Sequence, residues 1–240
     1  MTVGLVAGFI DAIAGGGGLI ALPAMSLVVG PGTEAIGTNK IASLAAAGIA
    51  FLVYWRRGHV QWKSSILFTT MVGVGAFGGS LVGPHVPRAA FPWLLGATCP
   101  AILYFVWNKD LWVSRAQHAT RHSPLAVALS GLVVGFYDGV WGPGGGTFMF
   151  LALLYFARLP LLAALAASKL ANSAAASVAL VSYGAAGHVH VREGLLLAAG
   201  MLTGGFFGAN LASTQASRVV RPALLVIVLL LAARVIVAYA

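Results

Sequence analysis

The residues best suited to chemistry in this chain are a few charged side chains that stand inside long apolar stretches. Lys40 and Lys169 lie near the start of two such stretches. An ionised amine in lipid has a high free-energy cost, so a lysine inside a membrane segment is a candidate functional residue. Each could supply positive charge to an anion, or could reach the nearby membrane interface with its long side chain. Neighbouring side chains that can donate hydrogen bonds favour anion binding: Thr38, Asn39, Ser168 and Asn172.

Two of the five carboxylates in the chain, Asp11 and Asp138, also lie in apolar sequence, each a few residues before a glycine cluster. An intramembrane aspartate could take up and release a proton, and so couple transport to the proton gradient. It could equally pair with Lys40 or Lys169, or cap the helix that follows. These interpretations stay open at the level of sequence.

The glycine clusters predict two breaks in apolar helices. Glycine in lipid exposes backbone N–H groups, which is tolerated only where protein or a water-filled cavity satisfies them. Helices that restart near Leu19 and Thr147 would point the positive ends of their dipoles at the membrane midplane, which suits an anion. Small residues also allow close helix packing, but a run of three or four glycines exceeds that need. The expected site therefore includes these positions: Gly15, Gly16, Gly17, Gly18, Gly144, Gly145 and Gly146.

The two breaks belong to a duplicated unit. GFIDAIAGGGGLIALP at 8–23 returns as GFYDGVWGPGGGTFMF at 135–150, and Lys40 recurs 129 positions later as Lys169. A duplicated broken helix is a strong sequence indication of a transporter's binding site. We expect three parts of the chain: a first repeat at 1–107, a cytoplasmic linker at 108–123 and a second repeat at 124–240.

Composition identifies lipid as the solvent of this chain. Hydrophobic residues make up 60% of it and charged residues 8%, so the outer surface is expected to face hydrocarbon. The formal net charge of +9 comes from basic residues scattered through connecting loops, which the positive-inside rule explains better than nucleic-acid binding does. The glycines are not followed by the Lys and Ser/Thr of a P-loop, so we expect no nucleotide cofactor. The histidines lack the nearby carboxylates or cysteines of a zinc site, so we expect no metal. No other cofactor is expected.

Apolar runs of two lengths are expected to position these residues. A membrane span needs roughly 20 apolar residues. Each half offers three runs of about that length, at 36–55, 64–83 and 89–107, and at 161–183, 194–213 and 219–240. Each half also offers two shorter runs around its glycines, which predict half-helices: 1–14, 19–30, 124–140 and 147–159. The predicted fold is an all-α integral membrane protein of two homologous repeats, each a glycine-broken half-helix pair plus three transmembrane helices.

Loop charges indicate how the half-helix pairs enter the membrane. If each pair folds back as a hairpin, nine lysine and arginine residues of the loops lie on one side and two on the other. If each pair crosses once, the division is seven against four. The positive-inside rule favours the hairpins, and with them inverted repeats, so we expect that topology.

The same segments resemble a known family, the TauE/SafE sulfite exporter-like permeases, and within it the YfcA-like membrane transporters. The resemblance covers nearly the whole chain and rests on DAIAGGGGLIALP, GTNK, RRGHVQW, GFYDGVWGPGGG, SKLANSAAA and GHV. It implies a multi-pass protein of the bacterial inner membrane that moves small organic or sulfur-containing anions, such as sulfite or sulfonates, by a secondary mechanism. Ser168 departs from the pattern, because Asn39 stands at the equivalent place in the first copy.

A secondary anion permease accounts for the repeats, the breaks and the paired lysines together. The expected mechanism is alternating access, with the anion held near the midplane between the two breaks. An anion channel could use the same dipoles without coupling, whereas no Ser/His or HExxH constellation supports an intramembrane enzyme. We expect the partners to be a small anion and the lipid bilayer rather than nucleic acid, and we leave a homodimer open.

Overall fold

The computed structural model describes residues 1–87 and 123–239, and helix is the only regular secondary structure in these two ranges. The first range holds α1 (Thr2–Ala14), α2 (Gly18–Val29), α3 (Thr33–Arg56) and α4 (Trp62–Val82), then a 3-10 turn at Gly83–His85. The second holds α5 (Pro124–Val140), α6 (Gly145–Tyr155), α7 (Leu161–Ala185) and α8 (Val191–Tyr239). The run expected at 89–107 and nearly all of the linker expected at 108–123 lie outside the described residues.

Helix length divides the described helices as the sequence predicted. α3, α4, α7 and α8 are each long and apolar enough to cross a membrane. α1, α2, α5 and α6 are shorter apolar helices of 10–17 residues, below the length of roughly 20 that a full span requires. α8 bends at Gln215, where the backbone leaves the helical region, so the run expected at 194–213 forms its first arm and the described part of the run expected at 219–240 forms its second.

Glycines with positive φ end the first arm of each half-helix pair. α1 ends at Gly15, whose φ of 84° is left-handed, and Gly142, with a φ of 95°, follows the end of α5. Only glycine adopts this conformation without steric cost, which is why the helices stop at these positions. Gly144 is also left-handed and caps the start of α6. The predicted helix breaks are therefore confirmed.

Each half-helix pair folds back on itself as a hairpin. Gly4 near the start of α1 and Val28 near the end of α2 line one cavity. In the second half, Ala126 near the start of α5 and Phe156 just after α6 line another. The two arms of each pair therefore run in opposite directions, and neither pair makes a single broken crossing.

Glycines allow the first arm of each hairpin to pack closely on the fourth helix of the other half. Gly4 lies against Gly200, and Gly208 lies against Phe9, so α1 and the first arm of α8 run in the same direction. The equivalent contacts join α5 to α4, again with both helices in the same direction. Close approach of backbones at small residues is the usual basis of helix packing in membranes. The equivalent residue pairs are Gly131 with Phe68, Gly135 with Val72 and Gly139 with Ala76.

The directions of α3 and α7 follow from their neighbours. Ile41 of α3 lies against Gly194 of α8, and Arg57 just after α3 donates to Asn210 at 2.7 Å, so α3 and α8 run together. Gly37, at the start of α3, lies against Tyr183 at the end of α7. The start of α3 and the end of α7 therefore lie at the same end of the helix bundle.

Candidate functional site

The two glycine breaks meet at the centre of the molecule. Gly15, at the end of α1, lies against Gly146 and Thr147 in the first turn of α6. A Cβ atom added at Gly15 would lie 2.3 Å from the carbonyl carbon of Gly146, so only glycine fits here. The Thr147 hydroxyl donates to the Ala14 carbonyl at 2.9 Å and fixes this contact between the halves.

The two lysines and the two aspartates form ion pairs that are exchanged between the repeats. Lys40 Nζ lies 2.8 Å from Asp138 Oδ2 and also donates to the Asp138 carbonyl oxygen. Lys169 Nζ lies 2.9 Å from Asp11 Oδ2 and also donates to the Asp11 carbonyl oxygen. All four side chains are at most 5% exposed. Each lysine thus neutralises the aspartate of the other half.

These pairs bear on one of the alternatives that the sequence left open, the snorkelling of the lysines. Lys40 and Lys169 do not reach the membrane interface, so the snorkelling interpretation is wrong. The aspartates are the lysines' partners in this conformation. Breaking a buried ion pair by removing one partner costs about 3–5 kcal/mol, because an uncompensated charge stays behind. Each pair joins a residue of one half to a residue of the other, so the loss of one partner would disturb the contact between the halves as well as the site.

The same carboxylates also lie at the starts of the second arms. The Gly17 backbone N–H donates to Asp11 Oδ1 at 3.2 Å, next to the first turn of α2. Asp138 Oδ1 lies against Gly145, which begins α6. The positive end of each half-helix dipole and one ammonium group therefore converge on a single carboxylate. In this conformation the protein's own aspartates hold the two positions that the sequence predicted for a bound anion.

Two tyrosines donate hydrogen bonds to carbonyl groups at the two breaks, a role that the sequence analysis did not predict. The Tyr54 hydroxyl donates to the Ala12 carbonyl at 2.9 Å, and the Tyr183 hydroxyl donates to the Gly139 carbonyl at 2.9 Å. Both side chains are fully buried. They satisfy carbonyl groups that the end of a helix leaves without partners. Their spacing of 129 positions, the same as that of the lysines, was the signal that could have identified them.

The other predicted site residues differ in their hydrogen bonding. Thr38 Oγ1 accepts from the His190 backbone N–H, and Ser168 donates to the Leu165 carbonyl. Both hydroxyls therefore serve the local helices and loops. Neither is directed at the meeting point of the breaks in this conformation.

The two asparagines behave differently from each other. Asn39 Nδ2 donates to Ser43 at 3.3 Å, while its buried Oδ1 has no partner in the described part of the chain. Asn172 is only 5% exposed and makes no hydrogen bond to the residues described. Its Nδ2 atom would lie 3.4 Å from a Cβ at Gly146, beside the contact of the two breaks. The buried amide atom without a partner is therefore Asn39 Oδ1, whereas the Asn172 amide lies beside the contact of the two breaks.

A cavity of about 390 Å³ reaches the breaks from one side. It lies between the end of α5 and the start of α2, and it extends along α2 to Pro31. Trp141 and Pro143, which line it, flank Gly142, and a Cβ at Gly142 would lie 3.2 Å from Lys40 Nζ. The cavity wall therefore adjoins the Lys40–Asp138 pair. The equivalent place between α1 and α6 is closed by the contact of Gly15 with Gly146.

Comparison with known proteins places these features in a family. Residues 1–235 match the family described as "Sulfite exporter TauE/SafE". A "Probable membrane transporter protein ORF9" of Sinorhizobium sp is 35% identical over 96% of this chain and 88% of its own length. A "Probable membrane transporter protein" of Haemophilus influenzae is 34% identical over 98% of this chain and 92% of its own.

The "Probable membrane transporter protein YfcA" of Escherichia coli is 29% identical over 98% of this chain and 87% of its own length. No solved structure matches the chain. Together with the four apolar helices that are long enough to span a bilayer, these relatives make the chain a multi-pass membrane protein. It belongs to the sulfite exporter TauE/SafE family of membrane transporters.

Proposed function

We propose that this chain is a secondary transporter that moves a small anion by alternating access at the meeting point of its two breaks. One observation carries the proposal: a cavity reaches the breaks between α5 and α2, whereas the equivalent place between α1 and α6 is closed. A binding site between repeats that is open to one side at a time is the basis of alternating access. The other conformation would open the α6 side and close the α2 side.

The two halves are inserted in opposite directions in this proposal. Supporting it, the start of α3 lies beside the end of its repeat counterpart α7. The described basic residues outside the buried pairs also divide unevenly, which supports placing the end of α3 in the cytoplasm. Arg192 lies at the end where α8 starts, Arg234 lies within the second arm of α8, and six residues lie at the opposite end: Arg56, Arg57, Lys63, Arg158, Arg218 and Arg221. The cavity would then open away from the cytoplasm.

The substrate we propose is a small oxyanion, with sulfite and alkylsulfonates as the first class to test. Positive charge at the breaks comes from the two lysines and the starts of α2 and α6, and Asn172 places its amide beside Gly146. The glycine backbone of both breaks would let an oxyanion approach N–H groups closely. The mostly apolar lining of the cavity suits the organic part of a sulfonate or carboxylate.

The test is thermal stabilisation of the detergent-purified protein by a panel of anions: sulfite, methanesulfonate, ethanesulfonate, acetate and lactate, with sodium chloride as the ionic-strength control. A ligand that binds the folded state raises its stability by RT ln(1 + [L]/Kd), about 2.7 kcal/mol at a hundredfold excess over Kd. We expect at least one sulfur oxyanion to stabilise the wild type. If no anion does so between pH 5 and 8, the anion proposal fails.

A matched pair of variants locates the site. Asn172→Ala removes the amide beside Gly146, whereas Asn39→Ala removes the other asparagine, whose Nδ2 bonds Ser43 and whose Oδ1 has no partner among the described residues. We expect Asn172→Ala to lose most of the anion-induced stabilisation and Asn39→Ala to keep it. Equal loss in both variants would contradict a site beside Gly146.

A further inference from the structure

The charge balance of the site constrains what must accompany an anion. Each ion pair is neutral, and its members are at most 5% exposed. An anion that entered beside Lys40 while Asp138 stayed ionised would place two negative charges against one ammonium. Uncompensated buried charge costs several kcal/mol, whereas a neutralised carboxyl group beside the anion leaves the net charge at zero.

The pair that adjoins the cavity is Lys40 with Asp138. Gly142, whose added Cβ would lie 3.2 Å from Lys40 Nζ, stands between the cavity-lining residues Trp141 and Pro143. Lys169 and Asp11 lie on the other side of the meeting point, where Gly15 and Gly146 close the breaks. An anion arriving through this cavity therefore encounters Asp138 before Asp11.

Few other groups could supply the balancing charge. From α3, Lys40 faces Asp138, and from α7, Tyr183 approaches through its bond to Gly139. The titratable side chains of α4 and α6, Lys63 and Tyr155, lie at the far ends of those helices and are solvent-accessible. Within the described residues, Asp11 is faced in the same way by Lys169 from α7 and Tyr54 from α3. In each half the aspartate is the group available to accept a proton.

We propose that each monovalent anion is carried together with one proton. The proton comes from the aqueous cavity and binds the Asp138 carboxylate, and Lys40 exchanges its ion pair with Asp138 for one with the anion. On release both leave, and the Lys40–Asp138 pair re-forms. In the oppositely open conformation the anion passes from Lys40 to Lys169 and the proton from Asp138 to Asp11, and both leave from that pair. The complex carries no added net charge, so transport is electroneutral and is driven by a pH gradient. This proposal rests on the proposed function and adds the coupling ion and the stoichiometry.

The experiment uses the full chain in proteoliposomes with radiolabelled methanesulfonate, whose single negative charge does not change between pH 5 and 8. A pH gradient at zero membrane potential, and a potassium–valinomycin potential at equal pH, are imposed separately. We expect the pH gradient to drive accumulation and the potential alone to drive none. Accumulation driven by the potential without a pH gradient would contradict the proposed coupling to protons, but it would support the proposal that the chain transports anions. No uptake under either gradient would remove the transport proposal for sulfonates as well.

Variants of Asp138 test the exchange directly. Asp138→Asn mimics the protonated carboxyl group, so we expect methanesulfonate to bind about tenfold or more tightly at pH 7.5 than it binds the wild type, an effect of 1.4 kcal/mol or more. The pH dependence of binding should also disappear. The matched variant Lys40→Met with Asp138→Asn is neutral and should fold without binding the anion through this cavity.

These outcomes separate the exchange from a structural role of the pair. If Asp138→Asn binds more weakly than the wild type, or keeps the wild-type pH dependence, Asp138 does not compete with the anion. If Asp138→Asn fails to fold, the gradient experiment on the wild type still decides the coupling.

Discussion

The second arms of the two hairpins, α2 and α6, occupy different environments although they take equivalent places in the sequence repeat. Most residues of α6 are buried, including Met149, Phe150 and Leu153, whereas only four residues of α2 are buried: Leu19, Ala21, Leu22 and Met25. α6 starts against the end of α1, and α2 starts against a cavity. The relative position of the halves therefore covers the second arm of one hairpin and leaves that of the other beside a cavity.

One side chain helps to explain which side is closed. Thr147 donates to the Ala14 carbonyl across the closed contact. Counting from the equivalent aspartates, Ile20 stands where Thr147 stands, and isoleucine has no hydrogen-bond donor in its side chain. In the proposed alternation, this hydroxyl would favour closure between α1 and α6 over closure between α5 and α2.

The two ion pairs are equivalent between the halves. Removing one partner from either pair is expected to have the largest effect on stability. Lys169→Met leaves Asp11 buried without a partner, and Lys40→Met does the same for Asp138, so each should lower the free energy of unfolding by about 3–5 kcal/mol. The matched double variant Lys169→Met with Asp11→Asn should recover most of this loss. Thermal unfolding in detergent measures all three, and a pair whose single variant costs less than about 1 kcal/mol is not the buried pair described here.

The next effect separates the closed break from the open one. Gly15→Ala and Gly142→Ala both place a side chain at positive φ. At Gly15 the new Cβ meets backbone at 2.3 Å, whereas at Gly142 it meets the flexible end of Lys40 at 3.2 Å. Gly15→Ala should therefore be less stable than Gly142→Ala by about 1–3 kcal/mol, the usual cost of overpacking.

Gly30→Ala is the control for the glycine comparison. Gly30 has a φ of 91° and would place its Cβ in open space, so this variant measures backbone strain alone. If Gly15→Ala is no less stable than Gly30→Ala, then the close contact between the breaks does not exist in solution.

A smaller effect tests the bias toward one side. Thr147→Val removes the hydroxyl that bonds Ala14 and should weaken closure by about 0.5–1.5 kcal/mol, the net value of one hydrogen bond. The variant should populate the oppositely open conformation more. Single cysteines at Ser26 and Leu153, in a Cys99→Ser background, report on the two sides because the repeat places these positions at equivalent points.

The reaction of these cysteines with a membrane-impermeant thiol reagent is the measurement. Ser26→Cys borders the cavity and should react quickly, whereas Leu153→Cys is fully buried and should react slowly. Adding Thr147→Val should speed the reaction of Leu153→Cys and slow that of Ser26→Cys. Unchanged rates at both positions would show that Thr147 does not bias the equilibrium.

The smallest expected effect lies in the loop between α3 and α4. Partial burial, and then the nearby Arg57 guanidinium, lower the pKa of His59 below its usual value, partly offset by a backbone hydrogen bond at Ser213. A lowered pKa means that the folded state prefers neutral His59. This stability is present above the unfolded pKa of about 6.5 and is lost as the pH falls through the folded value.

His59→Gln should therefore flatten the decline of the melting temperature between pH 7.5 and pH 5. Arg57→Gln is the companion variant, since it removes one of the two causes and should reduce the decline in part. A His59→Gln protein whose melting temperature declines as the wild type's does would remove His59 from the pH response.

Much of the candidate site could be predicted from residue types and spacing. Glycine runs at Gly15 and Gly144 predicted helix breaks because backbone conformation is a local property. The spacing of Lys40 and Lys169 identified them as equivalent. The roles of Tyr54 and Tyr183 were missed, because a tyrosine near a helix end is also typical of a membrane interface. Whether the aspartates carry protons or only pair was open, since both roles require the same residue type in the same place.

The sequence by itself determined a membrane protein of two repeats with paired breaks, because composition and duplication are properties of chain order alone. Only the tertiary structure decided that Lys40 pairs with Asp138, 98 positions away, and Lys169 with Asp11, 158 positions away. Equivalent residues of two copies can pair within a copy or between copies with no change in sequence. The packing of α1 on α8 and of α5 on α4 makes the choice, because it brings each aspartate to the lysine of the other half.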